Sequence, residues 1–261
     1  MKLFYRKYGE TGIPVFILHG LFGQCDNWQT IAKTLAEKGH EIYIVDQRNH
    51  GLSPHSEAFN YQLMSSDLYE LIHDLGFQKV ILLGHSMGGK TALQFVVDYP
   101  GLLSRLFVAD ISAKYYAPHH QQIIFALEAV DLKKAKRRKD VEEVLSNHIP
   151  EQATRAFLMK NIYWKTDTQL EWRFNLEGIV KNIGEVGRKI EIEKTYSKKD
   201  FETLFIRGEK SNYIPDADIP VIREHFPDAD IVTITGAGHW LHADKPKEFV
   251  ELIHHYLTTA I

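Results

Sequence analysis

Six short apolar runs punctuate the chain: Pro14 to Leu18, Glu41 to Val45, Lys79 to Leu83, Arg105 to Ala109, Thr203 to Ile206 and Ile231 to Ile234. Stretches with helical spacing separate them. The runs are nearly continuous in apolar character, as strands covered on both faces must be. Strands alternating with helices in this way predict an α/β fold with a mainly parallel central sheet and helices on both faces. Ile31, Leu35 and Ala36 give one helical stripe, and Leu63, Leu68, Leu71, Ile72 and Leu75 give another, stopped by Gly76. Phe249, Leu252, Ile253 and Tyr256 mark a last helix, its start signalled by Asp244 and Pro246.

Between Ser112 and Thr195 the alternation breaks. Helical patterns cover Gln121 to Val130, Val141 to His148 and Thr154 to Ile162, followed by an aromatic-rich piece, Tyr163-Trp164 and Trp172-Arg173-Phe174, with almost no strand signal. Such a length far exceeds an ordinary connection. The expected organisation is a core of residues 1–111 and 196–261 with a helical cap inserted at 112–195. A chain of 261 residues can bury one sizeable core of this kind.

Charge and composition exclude several function classes. With 44% hydrophobic and 25% charged residues and a net charge of -3, the chain is an ordinary soluble protein with no electrostatic footprint for nucleic acid. No apolar run is long enough for a membrane span, and Met1 to Arg6 lacks the apolar stretch of a secretory signal, so a cytoplasmic address is expected. The single cysteine, Cys25, rules out an intrachain disulfide.

The chemistry starts at Lys79 to Val97. An apolar run enters Gly84-His85-Ser86-Met87-Gly88-Gly89 and a helix-compatible stretch follows. In a sharp strand-to-helix turn the flanking glycines avoid clashes while the serine hydroxyl projects from the sheet edge. Ser86 is therefore the expected nucleophile. His85, in a variable position of the motif, is expected to line the site or pack beside it.

A serine hydroxyl needs a base, and histidine titrates near neutral pH. Of the 14 histidines, His239 lies in the glycine-bearing loop Thr235-Gly236-Ala237-Gly238-His239-Trp240, after the last apolar run and before the final helix. That loop can hang a side chain over the sheet edge. His242 reads as a loop hydrogen-bonder, His254 and His255 as surface residues, and His19 as a structural hydrogen-bonder near the site.

The base must be oriented, and an aspartate does this while stabilising the imidazolium. Asp110 ends the run Arg105 to Ala109 and would share a sheet edge with Ser86. Glu209 and Asp216, beyond the run Thr203 to Ile206, remain alternatives, with Ser211 or Asn212 occupying the orienting position of that loop. Asp46 reads as bracing its own loop with Arg48. The oxyanion needs backbone N–H donors: Met87 supplies one, and Leu21, in His19-Gly20-Leu21-Phe22-Gly23, the second, with Phe22 as the alternative.

With these residues the chain resembles the α/β-hydrolase superfamily over essentially its full length, and within it is similar to the small bacterial YbfF-type esterases. The likeness rests on His19-Gly20-Leu21-Phe22-Gly23, Asp46 to Pro54, Gly84 to Lys90, Glu171-Trp172-Arg173-Phe174-Asn175 and Gly236 to Trp240. The resemblance places the catalytic aspartate after the strand that follows the nucleophile, which implies Asp110. It also implies a carboxylesterase acting on small-molecule acyl esters of short to medium length, with acyl-CoA thioesters as a second class, and no metal or organic cofactor. After Asp110 the chain reads Ile111-Ser112-Ala113, where the family carries a proline.

Phe22, His85, Trp172 and Trp240 are the expected substrate-binding residues, with Trp164 and the face Ile123, Ile124, Leu127 weighed as either pocket or core. The run Lys133 to Lys139 carries six positive charges in seven positions. It reads as a solvated face of the cap, against attraction of an anionic substrate or membrane surface. A carbon-carbon bond hydrolase on the same triad and a non-catalytic ligand-binding protein are the rival functions. The expected assembly is a monomer or homodimer.

Overall fold

A computed structural model describes residues 1–117 and 120–259. The chain runs β1 (Tyr5–Tyr8), β2 (Val15–Leu18), α1 (Gln29–Glu37), β3 (Ile42–Val45), α2 (Tyr61–Asp74), β4 (Val80–His85), α3 (Met87–Asp98) and β5 (Leu103–Ala109). After residues 112–195 it resumes with β8 (Glu202–Gly208), α9 (Ile219–His225), β9 (Asp230–Ile234), α10 (Leu241–Asp244) and α11 (Pro246–Thr258). The seven strands are ordered β1-β3-β2-β4-β5-β8-β9 and all pairs are parallel except β1 with β3.

All six expected strands form, and the additional one is β1. Tyr5-Arg6-Lys7-Tyr8 sits at the sheet's edge, where charged side chains are tolerated and an apolar run is not required. Elsewhere the period of two sends alternate residues to opposite sides. Phe16, Leu18 and Leu82 join a core with Leu68, Leu93 and Phe95 of α2 and α3. Val15, Ile17, Ile81 and Leu83 join a second with Ile31, Leu35, Phe249 and Ile253 of α1 and α11. Both faces of the sheet are thus covered.

Residues 112–195 contain α4 (Gln121–Glu128), α5 (Arg138–Ser146), α6 (Gln152–Met159), β6 (Ile162–Trp164), β7 (Leu170–Trp172), α7 (Leu176–Lys181) and α8 (Ile183–Val186). The expectation of almost no strand is corrected here: β6 and β7 form an antiparallel hairpin pairing Ile162 with Trp172 and Trp164 with Leu170. Three-residue strands are too short to show a period of two, but their aromatic and branched residues suit a pleated surface.

Half of the basic run is matched to local acids. Lys134 pairs with Asp131, Arg137 with Asp140 and Lys139 with Glu143, all on exposed surface, and Arg138 donates to the carbonyls of Ile162 and Met159.

Candidate active site

Parallel strands deliver the site. Ser86 follows β4, Asp110 follows β5 and His239 follows β9, so all three emerge at the same end of the sheet. Nε2 of His239 lies 3.0 Å from Oγ of Ser86, and Nδ1 lies 2.7 Å from Oδ2 of Asp110. An ionised carboxylate can only accept, so Nδ1 carries the proton and Nε2 is left to accept from the serine hydroxyl. The arrangement can move a proton from Oγ to the ring while Asp110 holds the charge that develops. The other acids weighed lie elsewhere: Glu209 accepts from the Gly236 N–H, and Asp216 pairs with Arg207.

Backbone strain gathers here. Among the described residues four non-glycine residues have positive φ, and three of them, Phe22 (59°), Ser86 (53°) and Asp110 (52°), belong to this site. Such conformations cost roughly 1–3 kcal/mol each and persist only where surroundings over-determine them. For Ser86 the reason is close approach: a Cβ on Gly88 would collide with the carbonyls of Leu18 and His19, so only glycine lets α3 start this near β2.

Asp110 is fully buried and held by three donors. The Gly208 N–H reaches Oδ1 at 3.0 Å, and the Ser211 hydroxyl donates to Oδ2 beside His239. On its other side His239 is stacked against Tyr213, with ring centroids 3.8 Å apart. Burial, with Asp110 nearby, pushes the Tyr213 phenol up to about 12, so the ring stays neutral. The loop that presents His239 is braced by the Gly238 N–H donating to Asp244 at 2.8 Å. His85 also acts on that loop, its Nε2–H donating to the carbonyl of His239 at 2.8 Å.

The loop His19 to Gly23 is fixed by a histidine pair. Gln47 N–H donates to Nε2 of His19 at 3.0 Å, while Nδ1 of His19 donates to Gly20 O at 2.8 Å. Phe22 N–H donates to Nε2 of His50 at 3.1 Å, which removes Phe22 as an oxyanion donor. The Leu21 N–H has no partner among the described residues. As the first residue of α3, Met87 has no acceptor for its N–H within the helix.

One pocket is lined by Ser86, His239, Phe22, His85 and Trp240 together with His120, Ile123, Thr154, Phe157 and Leu158 from the segment 112–195. Trp172 is not in it. Its ring stacks on Phe174 at 5.1 Å, and Phe174 packs on Phe22 at 5.0 Å. Trp172 is therefore a packing residue behind the loop, because its strand turns that face toward the core. Trp164 is exposed, and Ile124 and Leu127 are core, leaving Ile123 as the pocket residue of that face.

Three further readings are corrected. Arg48 pairs with Asp67, not Asp46, whose carboxylate instead accepts from the N–H groups of Cys25 and Leu52. His242 stacks on Trp28 at 4.0 Å rather than bridging its loop, and its Nδ1 has no partner among the described residues. His254 is partly buried, its Nδ1 2.8 Å from Nε2 of His40.

Sequence reasoning missed Tyr213, Asn161 and the reach of Lys90. Asn161 Nδ2 donates to Phe22 O at 2.8 Å, and Asn175 N–H donates to Asn49 O at 2.9 Å, tying the segment 112–195 to the loop His19 to Gly23 and to the loop after β3. Lys90 is buried and donates to Lys114 O at 2.7 Å and to the carbonyls of Gly187 and Arg188. Burial lowers its pKa to about 7. A lysine four residues after a candidate nucleophile was the available signal for it.

A family described as alpha/beta hydrolase fold matches residues 13–246. The chain is 39% identical over 262 residues to an sn-1-specific diacylglycerol lipase of Danio rerio, covering 97% of this chain and 81% of that one. It is 33% identical over 245 residues to the esterase YbfF of Escherichia coli strain K12, covering 94% and 92% of the two chains. Among solved structures, a marine microorganism esterase superposes with a TM-score of 0.93 at 44% identity, over 98% of this chain and 99% of that one.

Proposed function

The chain belongs to the α/β-hydrolase family and is a serine hydrolase of the esterase and lipase class, and on that premise we propose that it cleaves small-molecule carboxylic esters through an acyl-enzyme on Ser86. The observation that carries the reading is the continuous chain from Ser86 Oγ through His239 to the buried Asp110. Oγ attacks the acyl carbon as Nε2 takes its proton. The N–H groups of Leu21 and Met87 receive the oxyanion. The leaving alcohol then takes the proton from Nε2, and a water activated by the same nitrogen releases the acid. Acyl groups of short to medium length are the proposed donors, with thioesters as a second class that the same steps would cleave. Residues 112–195 act as a cap over a core of 1–111 and 196–261, supported by the contribution of His120, Ile123 and Phe157 to the pocket of Ser86.

Intact-mass spectrometry after treatment with a fluorophosphonate tests this on the native chain and on Ser86→Ala, beside p-nitrophenol release from short acyl esters. One adduct per native chain, none on Ser86→Ala, and a fall in turnover of roughly ten-thousandfold or more are expected. Unlabelled native chain without turnover would overturn the reading. Thiol release from short acyl thioesters tests the second class in the same samples.

A further inference from the structure

Two hollows meet at Ser86. The first, of about 690 Å³ including its open mouth, carries His239, Trp240 and Phe157. The second, of about 380 Å³ including its own open mouth, is lined from Ser86 by Met87, Ile111, Tyr61, Ile183 and Val186, with the Lys90 amine among them. His239 lines the first and not the second. Resting on the acyl-enzyme reading above, this asymmetry assigns the two halves of an ester. The leaving alcohol must take its proton from Nε2 of His239, so it departs on the His239 side. The acyl chain is then left to the second hollow, whose walls are mostly apolar.

That hollow reaches Tyr61 and Val186. Tyr61, Met87 and Val186 also line a shallow recess too tight to hold a water, whose other walls are Phe59, Asn60, Met64 and Glu185. The Tyr61 hydroxyl donates to the carbonyl of Val186 at 2.6 Å, which fixes the ring in the wall of the second hollow. The backbone there is fixed as well: Tyr61 is the first residue of α2, and the preceding Asn60 caps that helix by accepting from Leu63 N–H at 2.9 Å.

We propose that Tyr61, pinned to Val186, is the stop that sets acyl-chain length, making this an esterase of short linear acyl groups. A short acyl chain fills the second hollow up to the Tyr61 ring. A longer one meets the ring.

The test is kcat/KM across p-nitrophenyl esters from acetate to decanoate for the native chain, Tyr61→Ala, Val186→Ala and Phe157→Ala. In Tyr61→Ala the decanoate-to-acetate ratio should rise roughly tenfold or more, the gain from about two methylenes buried in the room the ring vacates. Val186→Ala trims the same wall with a smaller loss of packing and should move the ratio in the same direction, which covers the case that Tyr61→Ala does not fold. Phe157→Ala, on the alcohol side, should leave the acyl ratio alone and change the preference between methyl and naphthyl esters of one acid. Wall variants that take up fluorophosphonate normally but keep the native ratio would overturn the proposal, as would Phe157→Ala shifting it. A native chain that hydrolyses none of these esters overturns the esterase reading itself, a result distinct from an unchanged ratio.

Discussion

The Ser211 hydroxyl donates to Oδ2 of Asp110, the same oxygen that accepts from Nδ1 of His239 at 2.7 Å. The loop after β8 therefore orients an acid carried by the neighbouring strand, and the carboxylate matters more than the hydroxyl. Asp110→Asn keeps the shape but loses the charge and the tautomer control. It should lower kcat/KM roughly a thousand- to ten-thousandfold. Ser211→Ala removes one of three donors to a group that remains charged, so about tenfold is expected. Steady-state kinetics on p-nitrophenyl acetate separates the two, and equal losses would contradict this order.

His85 is buried, and its donation to the carbonyl of His239 at 2.8 Å positions a residue it does not assist chemically. His85→Phe preserves much of the ring volume and leaves that carbonyl without its donor. A stability loss of about 1–3 kcal/mol is expected in urea denaturation. The loosened loop should cut kcat about tenfold while KM stays near native, an order-of-magnitude expectation for a misplaced base. A large change in KM alone would instead place His85 against the substrate.

How much of this was legible from the sequence depended on whether the cause was local. Ser86 and His239 are visible because turn chemistry surrounds them: Gly84 and Gly88 on one side, Gly236 and Gly238 on the other. Asp110 has no such signature, since an aspartate at a strand end looks the same whether it orients a histidine or caps a loop. Glu209 and Asp216 could be set aside only once Gly236 and Arg207 were seen to hold them. Trp172 shows the converse, because an aromatic cluster has one composition whether it lines a pocket or packs behind one. Asn161 was out of reach, as its bond to Phe22 spans 139 residues of chain. The edge strand β1 escaped because Arg6 and Lys7 interrupt any apolar run.

Lys90 joins both ends of the segment 112–195 to the helix that carries Ser86, through the carbonyls of Lys114, Gly187 and Arg188. Lys90→Met removes a buried amine whose charged form burial already disfavours, which favours folding, and strands three acceptors, which opposes it. The two effects offset, so a melting temperature within a few degrees of native is expected, roughly 1 kcal/mol either way. The clamp itself is lost. Limited proteolysis within residues 112–195 should therefore accelerate about tenfold or more, an estimate for an opening made roughly 1.4 kcal/mol easier. Cleavage at the native rate would show that other contacts hold the segment.

Four buried histidines set the acid limit of stability. Burial is the leading cause in each case, lowering His19 to about 4, His50 and His242 to about 3, and His85 well below its ordinary value. In the unfolded chain all four titrate near 6.5. Below that pH the unfolded state takes up protons that the native state refuses, so stability is complete above pH 6.5. It falls as pH drops toward the native values of about 3 to 4. Each fully buried ring contributes a slope of up to about 1.4 kcal/mol per pH unit. Urea denaturation at pH 7, 6 and 5 should show stability falling ever more steeply. His242 offers a clean subtraction, because its ring stacks on Trp28 at 4.0 Å and its Nδ1 has no partner to lose among the described residues. His242→Phe should keep the stack and make the acid limb shallower by about one histidine's share. An unchanged acid limb in that variant would remove His242 from the set.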